Sequence, residues 1–171
     1  MPEPSAVRFD RDPTATSLDV LARRAAHRLQ RASVNWRPIA AAHGLDLESD
    51  AVDGARIPTH REFAFLEEAA EASRDPLFAW NLGDLSLKSF GLPGYAVLNA
   101  PTVAEALDTL STLIPSVCEA VHYTRIVDGA EATLACTCSD ARQNGVFGLR
   151  LVLGVLRELI GPEFAATRVG L

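Results

Sequence analysis

Apolar positions recur at helical spacing through the first two thirds of the chain and then switch to alternation near residue 120. That change of period predicts a helical half followed by strands. Leu18, Leu21, Ala22, Ala25 and Leu29 form the stripe of a helix over 18–31, with Ser17 placed as its N-cap. A second short helix over 36–43 ends at Gly44, a C-cap signal. Thr59-x-x-Glu62 reads as a capping box ahead of REFAFLEEAAEASR. The buried stripe of that helix is Phe63, Leu66 and Ala70, widened by Phe65 and Ala69. Asp75-Pro76 opens a further helical turn, which Gly83 closes.

A short helix is expected through YAVLNA, and Thr102-x-x-Glu105 is a second capping box opening a helix over 103–117. Pro115 should kink or stop that helix near Ile114. AVHYTRIV and AEATLACTC, separated by Asp128-Gly129, alternate as the two strands of a hairpin. Val121, Tyr123, Arg125 and Val127 share one face of the first strand, and His122, Thr124 and Ile126 the other. On the second strand Ala132, Leu134, Cys136 and Cys138 share a face. Residues 146–160 are apolar around more than half of a helix, which suits a central element or an interface. The fold class that follows is α+β: a helical N-terminal half, then an antiparallel β-hairpin packed against a long apolar helix. Residues 1–16, broken by Pro2, Pro4 and Pro13, read as a disordered tail, and 17–171 as one domain.

Charge narrows the partners. The chain carries a net charge of −6, and acidic side chains outnumber basic ones in both halves, 12 to 10 over residues 1–74 and 10 to 6 over 75–171. Binding nucleic acid needs clustered Lys and Arg against the phosphates. Only Arg23, Arg24, Arg28 and Arg31 gather on one helix, and such a run is ordinarily a solvated face. No apolar run approaches the ~20 residues that span a bilayer, and no apolar signal-peptide core opens the chain. Three cysteines make no disulfide framework. The expected compartment is the cytoplasm, without membrane contact.

No catalytic motif emerges. The histidines, His27, His43, His60 and His122, stand at least 16 residues apart, and no cysteine adjoins them, so no zinc spacing exists. Cys136-x-Cys138 places two thiols ~7 Å apart along a strand, a spacing that reads as two structural thiols. There is no Gly-x-Ser-x-Gly elbow. Asp140, Arg142 and Asn144 read as a solvated loop capping the long helix, or as polar contacts at a pocket mouth. Pockets for small organic molecules are mostly apolar with a few placed polar groups. On that ground Trp80, Phe90, Tyr95, His122, Tyr123 and Cys136 are the candidate ligand contacts, with Trp36 beside them. Core packing is the competing reading for each. No catalytic residue, metal ligand or cofactor is expected.

Residues 83–107, GDLSLKSFGLPGYAVLNAPTVAEAL, carry a recognisable pattern. Gly83, Gly91, Leu92, Gly94, Tyr95, Ala96 and Leu98, followed by Pro101, Thr102, Glu105, Ala106 and Leu107, stand in an order similar to LG-x-LGYA…PTLREAL. The stretch resembles the N-terminal effector-binding, arabinose-binding-like domain of AraC-type transcription regulators. HGLDLESDAVDGARIP, ending in Arg56-Ile57-Pro58, also matches the opening layout of that family. Asn81-Leu82-Gly83 and Val103-Ala104 depart from its Arg-Leu-Gly and Leu-Arg, removing a basic residue at each point.

The resemblance implies a domain that senses a small effector, forms a homodimer, and controls a C-terminal DNA-reading domain with two helix-turn-helix units that lies outside residues 17–171. The helix over 146–160 and the arginine-rich helix over 18–31 are the candidate dimer surfaces. The alternative is a stand-alone small-molecule-binding protein or an enzyme without recognisable motif, which a cluster of titratable side chains in a cleft would favour. A purely structural interaction module would instead show an interior with no cavity. Nothing in the chain resembles the Asn, Asp and Arg set that pairs sugar hydroxyls, so an apolar or amphipathic effector is expected.

Overall fold

A computed structural model describes residues 13–48, 54–82, 87–137 and 141–170. Within them the fold is α+β: six α-helices and two separate two-stranded antiparallel sheets. The first sheet pairs β1 (Thr16–Leu18) with β2 (Arg56–Pro58) in the register Thr16↔Pro58, Ser17↔Ile57, Leu18↔Arg56. It is a short strap. Its place matters because each strand runs directly into a helix, and the two helices pack on each other.

Those helices are α1 (Val20–Arg31) and α3 (Thr59–Ser73), with the short α2 (Arg37–Ala42) between them. Leu21, Ala22, Ala25, Ala26 and Leu29 are the buried stripe of α1. Phe63, Phe65, Leu66, Ala69 and Ala70 are that of α3, as the periodicity predicts. Phe65 and Leu66 are wholly excluded from solvent, and burying side chains of this size stabilises the fold by about 1.5–3 kcal/mol each. Gly44 takes the left-handed φ of +63° that a helix C-terminus favours.

Two local expectations fail in one place, for one reason. Ser17 does not cap α1; it lies in β1, and Asp19 holds the N-cap position. Thr59 and Glu62 make no capping box, since Pro58 holds the N-cap of α3 with no side-chain hydrogen bond. Glu62 instead reaches across to Ser17 and the Ala22 amide. A tertiary partner has displaced the local one.

Two 3-10 turns, Trp80–Leu82 and Leu87–Phe90, lead into α4 (Leu92–Leu98). Helix α5 (Val103–Val117) opens on Thr102, whose hydroxyl accepts from the Glu105 amide at 3.2 Å, so the second capping box forms. Pro115 does not stop α5, which continues to Val117. A proline in the last turn forfeits a single backbone bond, which this end of the helix tolerates. Residues 13–16, assigned from sequence to the tail, take part in the fold: Ala15 is buried and Thr16 begins β1. Residues 1–12 lie outside the described residues.

The second sheet is the hairpin β3 (His122–Asp128) and β4 (Glu131–Thr137). Its register pairs Tyr123↔Cys136, Arg125↔Leu134 and Val127↔Ala132, which keeps the faces read from alternation. Asp128↔Glu131 closes the turn, so Gly129 and Ala130 form the loop, and Gly129 supplies the positive φ of 59°. Helix α6 runs from Arg142 to Ile160, four residues earlier than the apolar run suggests. The hairpin's main neighbour is α5, where Arg125 makes a two-pronged bond to Asp108 (2.8 and 2.7 Å). Those bonds hold the Asp108 carboxyl below its ordinary pKa. Helix α6 packs chiefly on α3 and the Trp80 turn and meets the hairpin at Tyr123 and Gly148. Residues 166–170 form no strand. No helix of the described residues is long and apolar enough to cross a membrane.

Candidate functional site

A cavity of about 40 Å³ opens where β1, α3, α5, the hairpin and α6 converge. Each element contributes for a readable reason. Alternation on β3 and β4 turns Tyr123 and Cys136 inward as a cross-strand pair. The 3-10 turn before α4 delivers Phe90, and the last turns of α5 deliver Ile114 and Val117. Phe147, Gly148 and Leu151 come from one face of α6, and Asn144 from the same face one turn earlier. Helix α3 supplies Glu62 and Phe63, and the strap supplies Ser17, with Cys118 following α5. The wall is mainly apolar.

Glu62 is the chemical centre of this wall. It is fully buried; Ser17 Oγ donates to its Oε2 at 2.5 Å and the Ala22 amide to its Oε1 at 3.2 Å. Burial, opposed by these two bonds and helped by the nearby Asp19 carboxylate, pushes its pKa up to about 7. Asp19 is equally buried but has a cation: Arg23 Nε stands 2.6 Å from its Oδ2. Glu62 forms no ion pair among the described residues. Thr59 Oγ1, at the start of the same helix, is buried beside the Cys118 thiol and has no other hydrogen-bond partner among the described residues.

Burial, with the Glu62 charge, also pushes the Cys118 thiol up to about 12, so it carries almost no thiolate. Cys136 is exposed at the outer side of the same cavity. Iodoacetamide at pH 7.5 is therefore expected to alkylate Cys136 readily and leave Cys118 untouched in the folded protein. Peptide mass spectrometry reads this directly; equal labelling of the two would show that the cavity floor opens to solvent on the labelling timescale.

Three of the six residues expected from sequence meet at this cavity: Phe90, Tyr123 and Cys136. The other three lie elsewhere. Trp80 sits in the first 3-10 turn under the Arg150 guanidinium, 5.8 Å from its ring. Tyr95 is half exposed on α4, and His122 points to the solvent face of the hairpin because it alternates with Tyr123. Trp36 is buried against Arg37. Cys138 and Asp140 lie outside the described residues. Among the described residues no group of three or more His, Cys, Asp and Glu side chains could hold a metal ion.

Sequence reasoning missed Ser17, Glu62 and Gly148, and gave Asn144 only as the alternative reading, a polar contact at a pocket mouth. A signal for two of them was present. Glu62 stands at i relative to Leu66 and Ala69 at i+4 and i+7, so a carboxyl sits on an apolar stripe. Asn144 bears the same relation to Gly148 and Leu151. A capping role for the first and a solvated loop for the second hid that spacing.

No curated protein matches this chain. The family model described as the arabinose-binding domain of AraC transcription regulators, N-terminal, matches residues 34–171, which include α2 to α6 and most of the cavity wall. Over four fifths of the chain the order of elements and the 83–107 pattern thus agree with one family, and the protein belongs to the N-terminal arabinose-binding domains of AraC transcription regulators.

Proposed function

We propose that this domain binds a small effector in the Glu62 cavity and transmits its occupancy to a separate DNA-reading domain, acting as a homodimer in the cytoplasm. One observation carries the reading: in a chain of this regulator family, elements from across the chain leave a mainly apolar cavity around a buried carboxyl. Core packing alone would close such a space, because interiors reach crystal-like density. The cavity lies between two packed groups of elements, the hairpin with α5 on one side and α3 with α6 on the other. A ligand held between them changes which arrangement is populated, provided its affinity differs between the two. Phe90, Tyr123 and Cys136 would be its contacts from the sequence reading. Trp80, Tyr95 and His122 would be left to packing or to surfaces outside the cavity.

Of the two dimer surfaces expected from sequence, the arginine-rich face of α1 has two of its four arginines engaged within the fold. Arg23 is bound to Asp19 and the Leu47 carbonyl, and Arg28 to Asp75 and the Asn81 carbonyl. The half-buried outer apolar positions of α6 (Val152, Leu153, Leu156), ending at the exposed Ile160, fit a self-association face better. The native reading frame is expected to continue past codon 171 into two helix-turn-helix units, and light scattering to give twice the 18.3 kDa chain mass. A stop codon at 172 would overturn the regulatory part of the proposal.

A second reading, a stand-alone binding protein or enzyme, draws on the Ser17–Glu62 pair, since a carboxyl with a pKa near 7 beside a hydroxyl is a general-base arrangement. Turnover of a small ester that Ser17→Ala abolishes would establish it in place of sensing.

A further inference from the structure

The charges around the cavity are one-sided. Among the described residues its lining holds one carboxyl, Glu62, and no Lys, Arg or His; the nearby Arg56, whose charge reaches the lining Cys118, is itself paired with Glu119. The neighbouring buried acid, Asp19, is already matched by Arg23, but among the described residues Glu62 accepts two neutral hydrogen bonds and no charged one. A carboxylate has room for about four acceptor sites, so two remain for a ligand. Around it stand the rings of Phe63, Phe90, Tyr123 and Phe147, together with the buried Asn144 side chain.

Resting on the reading of this cavity as the effector site, we infer that its ligand is a small ammonium compound, a protonated amine on a compact apolar body, with the ammonium at Glu62 and the body among the four rings. An ammonium brings the positive charge that the buried carboxyl lacks, and it brings donors without acceptors. Aromatic faces attract a desolvated cation as well as an apolar body. An organic acid of the same shape would place a second negative group beside Glu62 with no cation in the wall, which is the unfavourable like-charge case. A polyol would leave most of its hydroxyls against apolar groups without partners. The cavity's 40 Å³ sets the size: at roughly 10–15 Å³ per water it holds about three waters, so the ligand is a short amine.

The test compares n-butylamine, n-butanol and butyrate on the intact chain at pH 7.5, read by thermal shift and calorimetry. At that pH an alkylamine is protonated and butyrate ionised. Butylamine is expected to bind saturably, butanol at least tenfold more weakly, and butyrate not at all. Glu62→Gln should cost butylamine at least tenfold in affinity and leave butanol unchanged. Calorimetry in two buffers of different ionisation enthalpy should show proton release on butylamine binding to the wild type and none with the variant. The groups facing Glu62 bear on that release: Asp19 is paired with Arg23, and the Cys118 thiol, pushed up to about 12, stays protonated. Butyrate binding as tightly as butylamine would overturn the charge assignment while leaving the cavity a small-molecule site. Butylamine binding that Glu62→Gln does not weaken would overturn it too. Silence from all three compounds would overturn the ammonium inference and the cavity's role together.

Discussion

Glu62→Gln is expected to raise stability by less than about 1 kcal/mol at pH 5 and by about 3 kcal/mol at pH 8. In the folded chain the Glu62 pKa is pushed up to about 7 from an ordinary 4.5, first by burial. Between these values the folded state holds a proton that the unfolded state has released. Raising the pH through this window therefore favours unfolding, and wild-type stability falls from about pH 4.5 until it levels above pH 7. Glutamine mimics the protonated side chain. Its carbonyl can accept from the Ala22 amide, and its amide can donate to Ser17 Oγ, so both contacts survive. Urea denaturation at pH 5, 6.5 and 8 measures the difference between the two proteins. Asp75 and Asp108 have lowered pKa values, so their contributions are lost only in more acidic solution and cancel in the comparison. A constant difference across the three pH values would show that Glu62 does not titrate in this window.

Gly94→Ala is expected to destabilise the fold by about 3 kcal/mol or more, since overpacking at a rigid contact commonly costs 1–3. A Cβ at residue 94 would lie 1.7 Å from the Leu87 carbonyl oxygen and 2.4 Å from its carbon. Both are backbone atoms, so neither can swing aside. Helix α4 would have to move off the Leu87–Phe90 turn, taking with it contacts of Leu87, Phe90 and Val97, all buried. Phe90 is also part of the cavity wall, so a chain that still folds should lose ligand affinity. Gly154→Ala is the contrasting substitution. Its nearest neighbour is the far end of the Arg150 side chain at 3.4 Å, and it lies inside α6. There alanine should add about 0.5–1 kcal/mol by relieving glycine's entropy cost. Urea midpoints of the two variants should move in opposite directions.

These substitutions mark what can be read in a linear chain. The stripes of α1 and α3, the Thr102 cap, the switch to alternation and the hairpin faces all follow from periods of 3.6 and 2. Alternation set Tyr123 and His122 on opposite faces of the strand without saying which face is covered; α5 packs on the hairpin and the Tyr123 face is the buried one, so His122, a candidate contact from sequence, faces solvent. The 83–107 pattern named the family. Its glycines were visible, but the reason for Gly94, a carbonyl pressed against its Cα, was not.

Sequence by itself determined the α+β class, most of the helices, the hairpin and the family. Tertiary structure decided the site. Ser17 and Glu62 each had a plausible local role as caps, worth about 1 kcal/mol. Folding the strap β1–β2 brings them together across 45 residues and makes a buried bond instead. Local propensity is carried by neighbours within a turn or two and leaves a periodic trace. A cavity is the space that several elements fail to fill, and it arises from how they are set against one another.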